Sequence, residues 1–230
     1  MIYITGDTHG HQDRFVAFNR YLKKGDILII LGDFGYLFKN NQAEHDFLDY
    51  LSTLPYTICF IDGNHENFSY LNQLPVTYWN GGKVHQLKSN IYHLIRGQIF
   101  TIDQKTFFTM GGAFSITRHM GIKNYNWWED ELPRHQDYDE AYFNLEKHHF
   151  HVDYILTHTC PKSVIYQMDQ IPVKGDMTLI EFLELIEKIT DYKHWYFGHF
   201  HIDQKIAKNM DCLLFKMIEL ETKKQYDTYE

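Results

Sequence analysis

The chain has little of several features that mark specialised classes of protein. Its 230 residues include three cysteines, Cys59, Cys160 and Cys212, which are too few and too scattered for a disulfide framework or a close-spaced zinc site. No apolar run approaches the roughly 18 residues that a membrane-spanning helix requires. No repeat or low-complexity tract divides the sequence. We therefore expect one domain over residues 1–230, in a reducing compartment and without a membrane segment.

Two further absences concern targeting and charge. The first residues carry no basic region ahead of a long apolar stretch, so we expect no secretory signal and a cytoplasmic location. Lys and Arg number 22 against 30 Asp and Glu, which gives a formal net charge of -8. An acidic chain repels polyanions at long range, so extended nucleic acid is a disfavoured partner. The sequence does not indicate an oligomeric state.

The first third of the chain alternates between two patterns. Short apolar runs at residues 2–5, 26–31 and 57–61 predict buried strands. Apolar residues at helical spacing over residues 14–22 and 44–51 predict helices between them. This alternation is typical of an α/β sheet.

The rest of the chain is more varied. Residues 76–110 are β-branched and aromatic segments separated by turn signals, which predicts antiparallel strands and hairpins. We interpret residues 112–150 as an insertion or lid, with Trp127 and Trp128 packed inside it and a helix over residues 138–147. The remaining predicted elements are strands at 154–157, 195–197 and 212–220 and a helix at 178–188.

Polar residues follow five of the predicted strands at the point where each strand ends. Open α/β sheets bind ligands at the ends of their strands, so we expect these residues to converge on one cleft. In two of the clusters the candidate ligands are two residues apart, and in extended backbone such side chains project to the same side. The clusters are Asp7 with His9, Asp33, Asn64 with His65, His158, and His199 with His201.

These side chains supply carboxylate, imidazole and amide donors. Such a mixture suits manganese, iron or zinc better than calcium or magnesium. Even the seven ligands other than His65 are too many for one ion, but they suit two ions about 3.5 to 4 Å apart that share a carboxylate. Two-metal sites clamp the attacking and leaving oxygens of a phosphoryl displacement. The pattern therefore favours hydrolysis of a phosphate mono- or diester on a small substrate, with a metal-bound hydroxide as nucleophile.

In this order the clusters resemble the motifs of the calcineurin-like metallophosphoesterase family, over residues 6–201. The matching motifs are Asp7-x-His9, Gly32-Asp33, Gly63-Asn64-His65-Glu66, His158 and Gly198-His199-x-His201. The resemblance implies an α/β fold of two facing mixed β-sheets flanked by helices, in four layers (α/β/β/α). It also implies one metal ion on Asp7, His9 and His201, another on Asn64, His158 and His199, and Asp33 as the bridge.

The resemblance assigns roles to two further residues. His65 would face the substrate, where it would stabilise the transferring phosphoryl group or protonate the leaving oxygen. Glu66 would orient a histidine without itself binding a metal ion. The protein serine/threonine phosphatases of the family carry an Arg shortly after the bridging aspartate, which this chain lacks, so that branch is disfavoured. Arg118 is the candidate that would contact substrate phosphate instead.

Simpler explanations exist for single motifs. Asp7 would serve as a helix cap, Asn64 as a turn residue, and His158 as a buried core histidine. Residues 33–35 match the metal-binding triplet of kinases, but no glycine-rich nucleotide loop precedes them. Cys160 lies near His158, yet the adjacent proline and the other ligands argue for an inert thiol.

Two alternatives concern the whole function. A nuclease with the same two-metal site would need a basic track for the nucleic-acid backbone, and the acidic charge argues against one. A non-catalytic metal-binding scaffold would have no reason to keep His65.

Overall fold

Two mixed β-sheets face each other in the structure, a computed structural model that describes residues 1–228. The last two positions of the predicted 1–230 domain lie outside the described residues. The strands are β1 Ile2–Thr5, β2 Ile27–Ile30, β3 Thr57–Phe60, β4 Val76–Trp79, β5 Gly82–Lys88, β6 Ile91–Leu94, β7 Gln98–Ile102, β8 Lys105–Met110, β9 His151–Thr157, β10 Asp191–Phe197, β11 Gln204–Ala207, β12 Met210–Cys212, β13 Lys216–Glu219 and β14 Gln225–Asp227. The α-helices are α1 Asp13–Phe18, α2 Gln42–Ser52, α3 Phe68–Leu71, α4 His135–Lys147, α5 Lys162–Gln167 and α6 Met177–Ile189, and 3₁₀ turns lie at Arg118–Met120, Glu129–Glu131 and Lys174–Asp176.

Alternation along the strands distributes apolar side chains between the layers. In β2, Ile29 packs between the two sheets, whereas Leu28 and Ile30 pack against α1 and α2 on the outer face. In β9, Leu156 faces the other sheet and Ile155 packs against α4, α5 and α6. The result is four layers, α/β/β/α, so the expected pair of facing mixed sheets flanked by helices is confirmed.

Parallel pairing brings the ends of the key strands together. The larger sheet has the order β14-β13-β1-β2-β3-β6-β5-β4, in which β1, β2 and β3 run parallel. The smaller sheet has the order β11-β12-β10-β9-β8-β7, in which β8, β9 and β10 run parallel. The loops that follow parallel neighbours leave the same edge of a sheet. The polar motifs after these strands are therefore neighbours in space.

One predicted strand is wrong. Cys212 is the last residue of β12, which pairs with β10 in the smaller sheet, and only residues 216–219 form a further strand, β13, which pairs with β1 in the larger one. Between them the Asp203 carboxylate accepts hydrogen bonds from three successive backbone N–H groups, at 2.8, 3.0 and 3.0 Å from residues 214, 215 and 216. These N–H groups are satisfied by a side chain, so the chain crosses between the sheets without extending either ladder.

The segment over residues 112–150 has two parts. Its second part is α4, which buries Ala141 and Leu145 in the core against the smaller sheet. Its first part is irregular but anchored, because Trp128 is only 2% exposed and its indole N–H donates to Ser69 Oγ at 2.7 Å. This agrees with a packing role for Trp128. That the irregular part acts as a lid stays a prediction.

Two features agree with the composition. All three cysteines are free and buried, and burial raises the pKa of each thiol, so none is poised to react. The described part of the chain contains no helix with the length and apolarity that crossing a bilayer requires.

Candidate metal centre

Four predicted ligands converge at the ends of β1, β2 and β10. Asp7, His9, Asp33 and His201 each offer one ligand atom, and these atoms all lie within 4.8 Å of one another. His9 Nε2 is 3.7 Å from Asp7 Oδ2, 3.6 Å from Asp33 Oδ2 and 2.9 Å from His201 Nε2. His201 Nε2 is 3.4 Å from Asp7 Oδ2. This group has the size of a single-ion site.

A second group lies on the other side of Asp33. The Nδ1–H of His158 donates to the carbonyl oxygen of Leu31 at 2.7 Å, which directs Nε2 towards Asn64 Oδ1 at 3.1 Å and Asp33 Oδ2 at 3.6 Å. The Asn64 side-chain N–H₂ donates to Ser115 Oγ at 3.0 Å, so its Oδ1 faces the cluster. Asp33 Oδ2 thus lies 3.6 Å from an imidazole nitrogen of each group.

The seventh predicted ligand, His199, lies beside the second group. Its ring centroid is 5.0 Å from that of His158. Its backbone N–H donates to both carboxylate oxygens of Asp7, at 3.1 and 3.2 Å. All seven predicted ligands are therefore neighbours in space.

His65 lies next to this cluster without joining it. Its ring centroid is 5.7 Å from that of His9, and its backbone N–H donates to Asp33 Oδ1 at 2.7 Å. The ring is half-buried and, with His9, lines a cavity of about 420 Å³. This position agrees with a side chain that faces a bound molecule.

Glu66 differs from expectation. Its buried carboxylate accepts the backbone N–H of Phe34 at 2.7 Å, and within residues 1–228 it bonds no imidazole. Burial, reinforced by the charge of Asp33, raises the pKa of Glu66 well above its usual value. Glu66 therefore fixes the loop that follows Asp33 rather than orienting a histidine.

Two ligands, Asp7 and His199, favour the protonation states that bind metal ions, whereas the neighbouring carboxylates raise the pKa of His158 and His201. Burial opposes ionisation of Asp7, but the neighbouring His158, His201 and His9 outweigh it and lower the pKa of Asp7 to about 2. Burial, assisted by the nearby His158, lowers the pKa of His199 to about 3. At neutral pH the carboxylate is charged and the His199 imidazole is neutral, as metal ligation requires.

The backbone of the cluster is unusual. His9, Asp33, His199 and His201 all have positive φ, at 47°, 47°, 69° and 53°. This left-handed region is uncommon for residues other than glycine, and such conformations cluster at functional sites.

Close approach of the backbone adds to this constraint. A Cβ atom on Gly63 would lie 2.1 Å from Asp33 Oδ1, and one on Gly198 would lie 2.2 Å from Asp7 Oδ1. Only glycine leaves room for the two carboxylates at these positions.

The donor set fits metal ions. When Nδ1 of a neutral His158 donates to Leu31, its Nε2 presents a lone pair to the oxygens of Asn64 and Asp33, which are acceptors as well. Nε2 of His9 lies 2.9 Å from Nε2 of His201. Facing lone pairs are satisfied by a proton or by a cation between them, and imidazole with carboxylate suits zinc, manganese or iron.

Arg118 has other partners. Its Nε–H donates to Glu131 Oε2 at 2.9 Å, and the guanidinium lies over the rings of Phe114 and Trp127, at 4.3 and 5.0 Å from their centroids. Contact with a substrate phosphate would require the ion pair with the fully buried Glu131 to open. The role of Arg118 as a phosphate ligand stays a prediction.

Two supporting residues are missing from the sequence interpretation. Glu131 Oε2 also accepts the backbone N–H of Ser115 at 3.2 Å, and Ser115 in turn receives the hydrogen bond from Asn64. The position of Ser115 in the sequence indicates this role, because Ser115 follows Gly111 and Gly112 in the loop after β8. The rule that ligands follow strand ends includes this loop as well.

Comparison with known protein families agrees with this geometry. A family model described as calcineurin-like phosphoesterase matches residues 1–203. The match covers most of the chain, which therefore belongs to the calcineurin-like phosphoesterase family. Among individual curated proteins, none matches the sequence.

Proposed function

We propose that this chain hydrolyses phosphoesters with two metal ions. One ion would bind to Asp7, His9 and His201, the other to Asn64, His158 and His199, and Asp33 would touch both. The observation that carries the proposal is the position of Asp33 Oδ2, which is 3.6 Å from His9 Nε2 on one side and 3.6 Å from His158 Nε2 on the other. The donor chemistry favours manganese, iron or zinc.

Bound there, such ions would polarise phosphoryl oxygens and lower the pKa of water. The chain itself orients the groups around them. Asp33 Oδ1 accepts the His65 N–H, which leaves Oδ2 for the two groups of ligands. The same hydrogen bond holds the His65 backbone next to the cluster. The His65 imidazole is then positioned to donate a proton to the leaving oxygen of the ester.

The surroundings favour a small substrate. The cavity next to His65 has about 420 Å³, which suits a small phosphorylated molecule. The net charge of -8 weighs against an extended nucleic acid. Three free, buried thiols fit a cytoplasmic, reducing setting.

Hydrolysis of p-nitrophenyl phosphate and bis-p-nitrophenyl phosphate, assayed side by side with added manganese, tests the proposal. We expect wild type to hydrolyse at least one compound and His65→Ala to lose about 10²- to 10⁴-fold in kcat. His135→Ala is the matched control, because the His135 side chain is 89% exposed on α4. Preference for the first compound indicates a monoesterase and preference for the second a diesterase. No hydrolysis by wild type with manganese, iron or zinc would overturn the proposal.

A further inference from the structure

The cavity beside His65 extends away from the metal centre. It is lined by His9 of that centre and by the adjacent His65, and it continues along the loop after Asp33 to the start of α2. The lining there includes Tyr36, Phe38 and Phe47. The organic portion of a phosphoester bound at the metal centre must extend beyond the ligand cluster. This cavity adjoins the cluster and can accommodate that portion.

The aromatic walls of the cavity are fixed by other rings. Tyr36 and Phe47 are stacked, with centroids 5.2 Å apart and an interplanar angle of 28°. Phe38 lies 6.3 Å from the His65 ring and contacts Trp128 edge-on at 5.6 Å. Phe38 and Phe47 are only half-buried. Fixed, partly exposed aromatic surfaces favour a flat, apolar ligand face.

Some polar groups of the cavity are free to donate hydrogen bonds. The Glu44 carboxylate is occupied by the backbone N–H groups of Lys39 and Asn40, and the Tyr36 hydroxyl donates to the carbonyl oxygen of His11. The exposed Lys39 ammonium and Gln12 amide have no hydrogen-bond or ionic partner within the part of the chain that the structure describes. The free polar groups are therefore suited to a ligand that carries hydrogen-bond acceptors.

We propose that this cavity binds the organic portion of the substrate and that this portion carries a planar ring with hydrogen-bond acceptors at its edge, the chemistry of a nucleoside. The inference rests on the proposed phosphoesterase function and narrows its substrate class. A volume of about 420 Å³ lies within the range of sites for drug-sized ligands. The rings would stack on the planar group, while Lys39 and Gln12 would meet its acceptors.

Binding of adenosine tests this without relying on hydrolysis, because adenosine has no phosphoester. Saturation-transfer difference NMR on the zinc-loaded full chain, with adenosine and with ribose, reports which ligand protons touch the protein. We expect strong signals from the base protons of adenosine and much weaker binding of ribose. Ala43→Trp should fill the cavity, since Ala43 lines it at the exposed start of α2. We expect this variant to weaken adenosine binding at least about tenfold, the loss of one stacking contact.

Gln42→Trp is the matched control, because Gln42 is exposed on the same turn of α2 but does not line the cavity. It should bind adenosine as wild type does, and Lys39→Met should show a smaller loss than Ala43→Trp. Absence of base-proton signals in wild type, or equal binding by Ala43→Trp and Gln42→Trp, would overturn the inference. Hydrolysis of p-nitrophenyl phosphate by wild type in that case would leave the proposed function standing. Adenosine binding without any hydrolysis would instead overturn the phosphoesterase proposal.

Discussion

Two clusters of buried carboxylates and histidines lie close together in the chain but are satisfied in different ways. In the metal centre, the side chains in ion-pair range of Asp7 and Asp33 are imidazoles, and among residues 1–228 no Lys or Arg lies within that distance of either. In the second cluster, the Asp62 carboxylate receives a hydrogen bond from Arg96 Nε at 2.7 Å and lies 3.1 Å from His93 Nε2. Asp62 is only two residues from Asn64.

The difference agrees with a structural role for the Asp62 cluster and with the proposed metal binding at Asp7 and Asp33. Burial opposes ionisation of Asp62, but Arg96 and His93 outweigh it and lower the pKa of Asp62 to about 2. A permanent cation inside the fold completes this cluster. Among residues 1–228 the carboxylates of the metal centre have no Lys or Arg partner, which supports the proposed binding of metal ions there.

Loss of catalytic activity should distinguish the metal centre from the Asp62 cluster most strongly. Asp33→Asn should reduce kcat/KM at least about 10³-fold. Metal ions stabilise the charge of the transition state by several kcal/mol, and each 1.36 kcal/mol changes the rate tenfold. The shape of the side chain and its bond from the His65 N–H are preserved. The assay is phosphoester hydrolysis at saturating manganese, with exposed Asp46→Asn as control. Hydrolysis by Asp33→Asn at the wild-type rate would show that Asp33 is not the bridging carboxylate that catalysis requires.

Stability should respond in the opposite way. Asp62→Asn leaves the Arg96 guanidinium buried without its counter-charge, which costs about 3–5 kcal/mol of unfolding free energy. Asp33→Asn in metal-free protein removes a buried charge that has no cation, so it should cost little. Urea denaturation of both variants in the presence of a chelator measures the contrast. Equal losses would show that the two clusters do not differ.

Asp176 is a third buried carboxyl, and it forms no ion pair within residues 1–228. Burial raises the pKa of Asp176 to about 6, partly offset by the hydrogen bond from the Phe114 N–H at 2.6 Å. The folded state then binds its proton more tightly than the unfolded state. The contribution to stability is fully present below about pH 4 and is lost as the pH rises through about 6. Asp176→Asn should abolish this part of the pH dependence, up to about 3 kcal/mol, in denaturation curves from pH 4 to 7. An unchanged pH profile would contradict the account.

Metal addition should stabilise only one of the clusters. Manganese at about one hundred times its Kd raises the unfolding free energy by about 2.7 kcal/mol when it binds only the folded state. We expect this increase in wild type and its loss in Asp33→Asn, measured as a shift in Tm with and without chelator. A Tm shift of equal size in both proteins would point to binding elsewhere.

The smallest effect concerns the support behind Asn64. Ser115→Ala removes the acceptor that holds the Asn64 amide, and loss of such a supporting contact lowers metal affinity by about 10- to 100-fold. Isothermal titration with manganese measures it, and Ser69→Ala is the control because Ser69 bonds Trp128 instead. Unchanged affinity would leave Asn64 without this positioning contact.

The sequence predicted the parts of the site that follow strand ends. The rule worked because β1, β2, β9 and β10 are short, apolar and parallel to neighbours, so their loops converge. The same rule could not distinguish Asp62 from the predicted ligands, because Asp62 also follows a strand, β3. Its partner Arg96 is 34 residues away in the sequence. Only tertiary structure reveals which buried carboxylate is already neutralised.

The break within residues 212–220 was hidden for a similar reason. The pattern of apolar residues indicates which segments are buried, but not which sheet they join, and both β12 and β13 are buried. The carboxylate of Asp203, which takes the N–H groups between them, comes from a loop outside the segment. Supporting contacts such as that of Glu131 with Ser115 are also non-local, because the partners are 16 positions apart in the sequence.

The most direct test of the central claim is the metal content of the protein. Wild type and Asp33→Asn would be loaded with manganese, desalted and measured by inductively coupled plasma mass spectrometry, with Asp62→Asn as a folded control if it survives purification. We expect two ions per chain in wild type and at most one in Asp33→Asn. Wild type without bound metal, or two ions in both proteins, would contradict it.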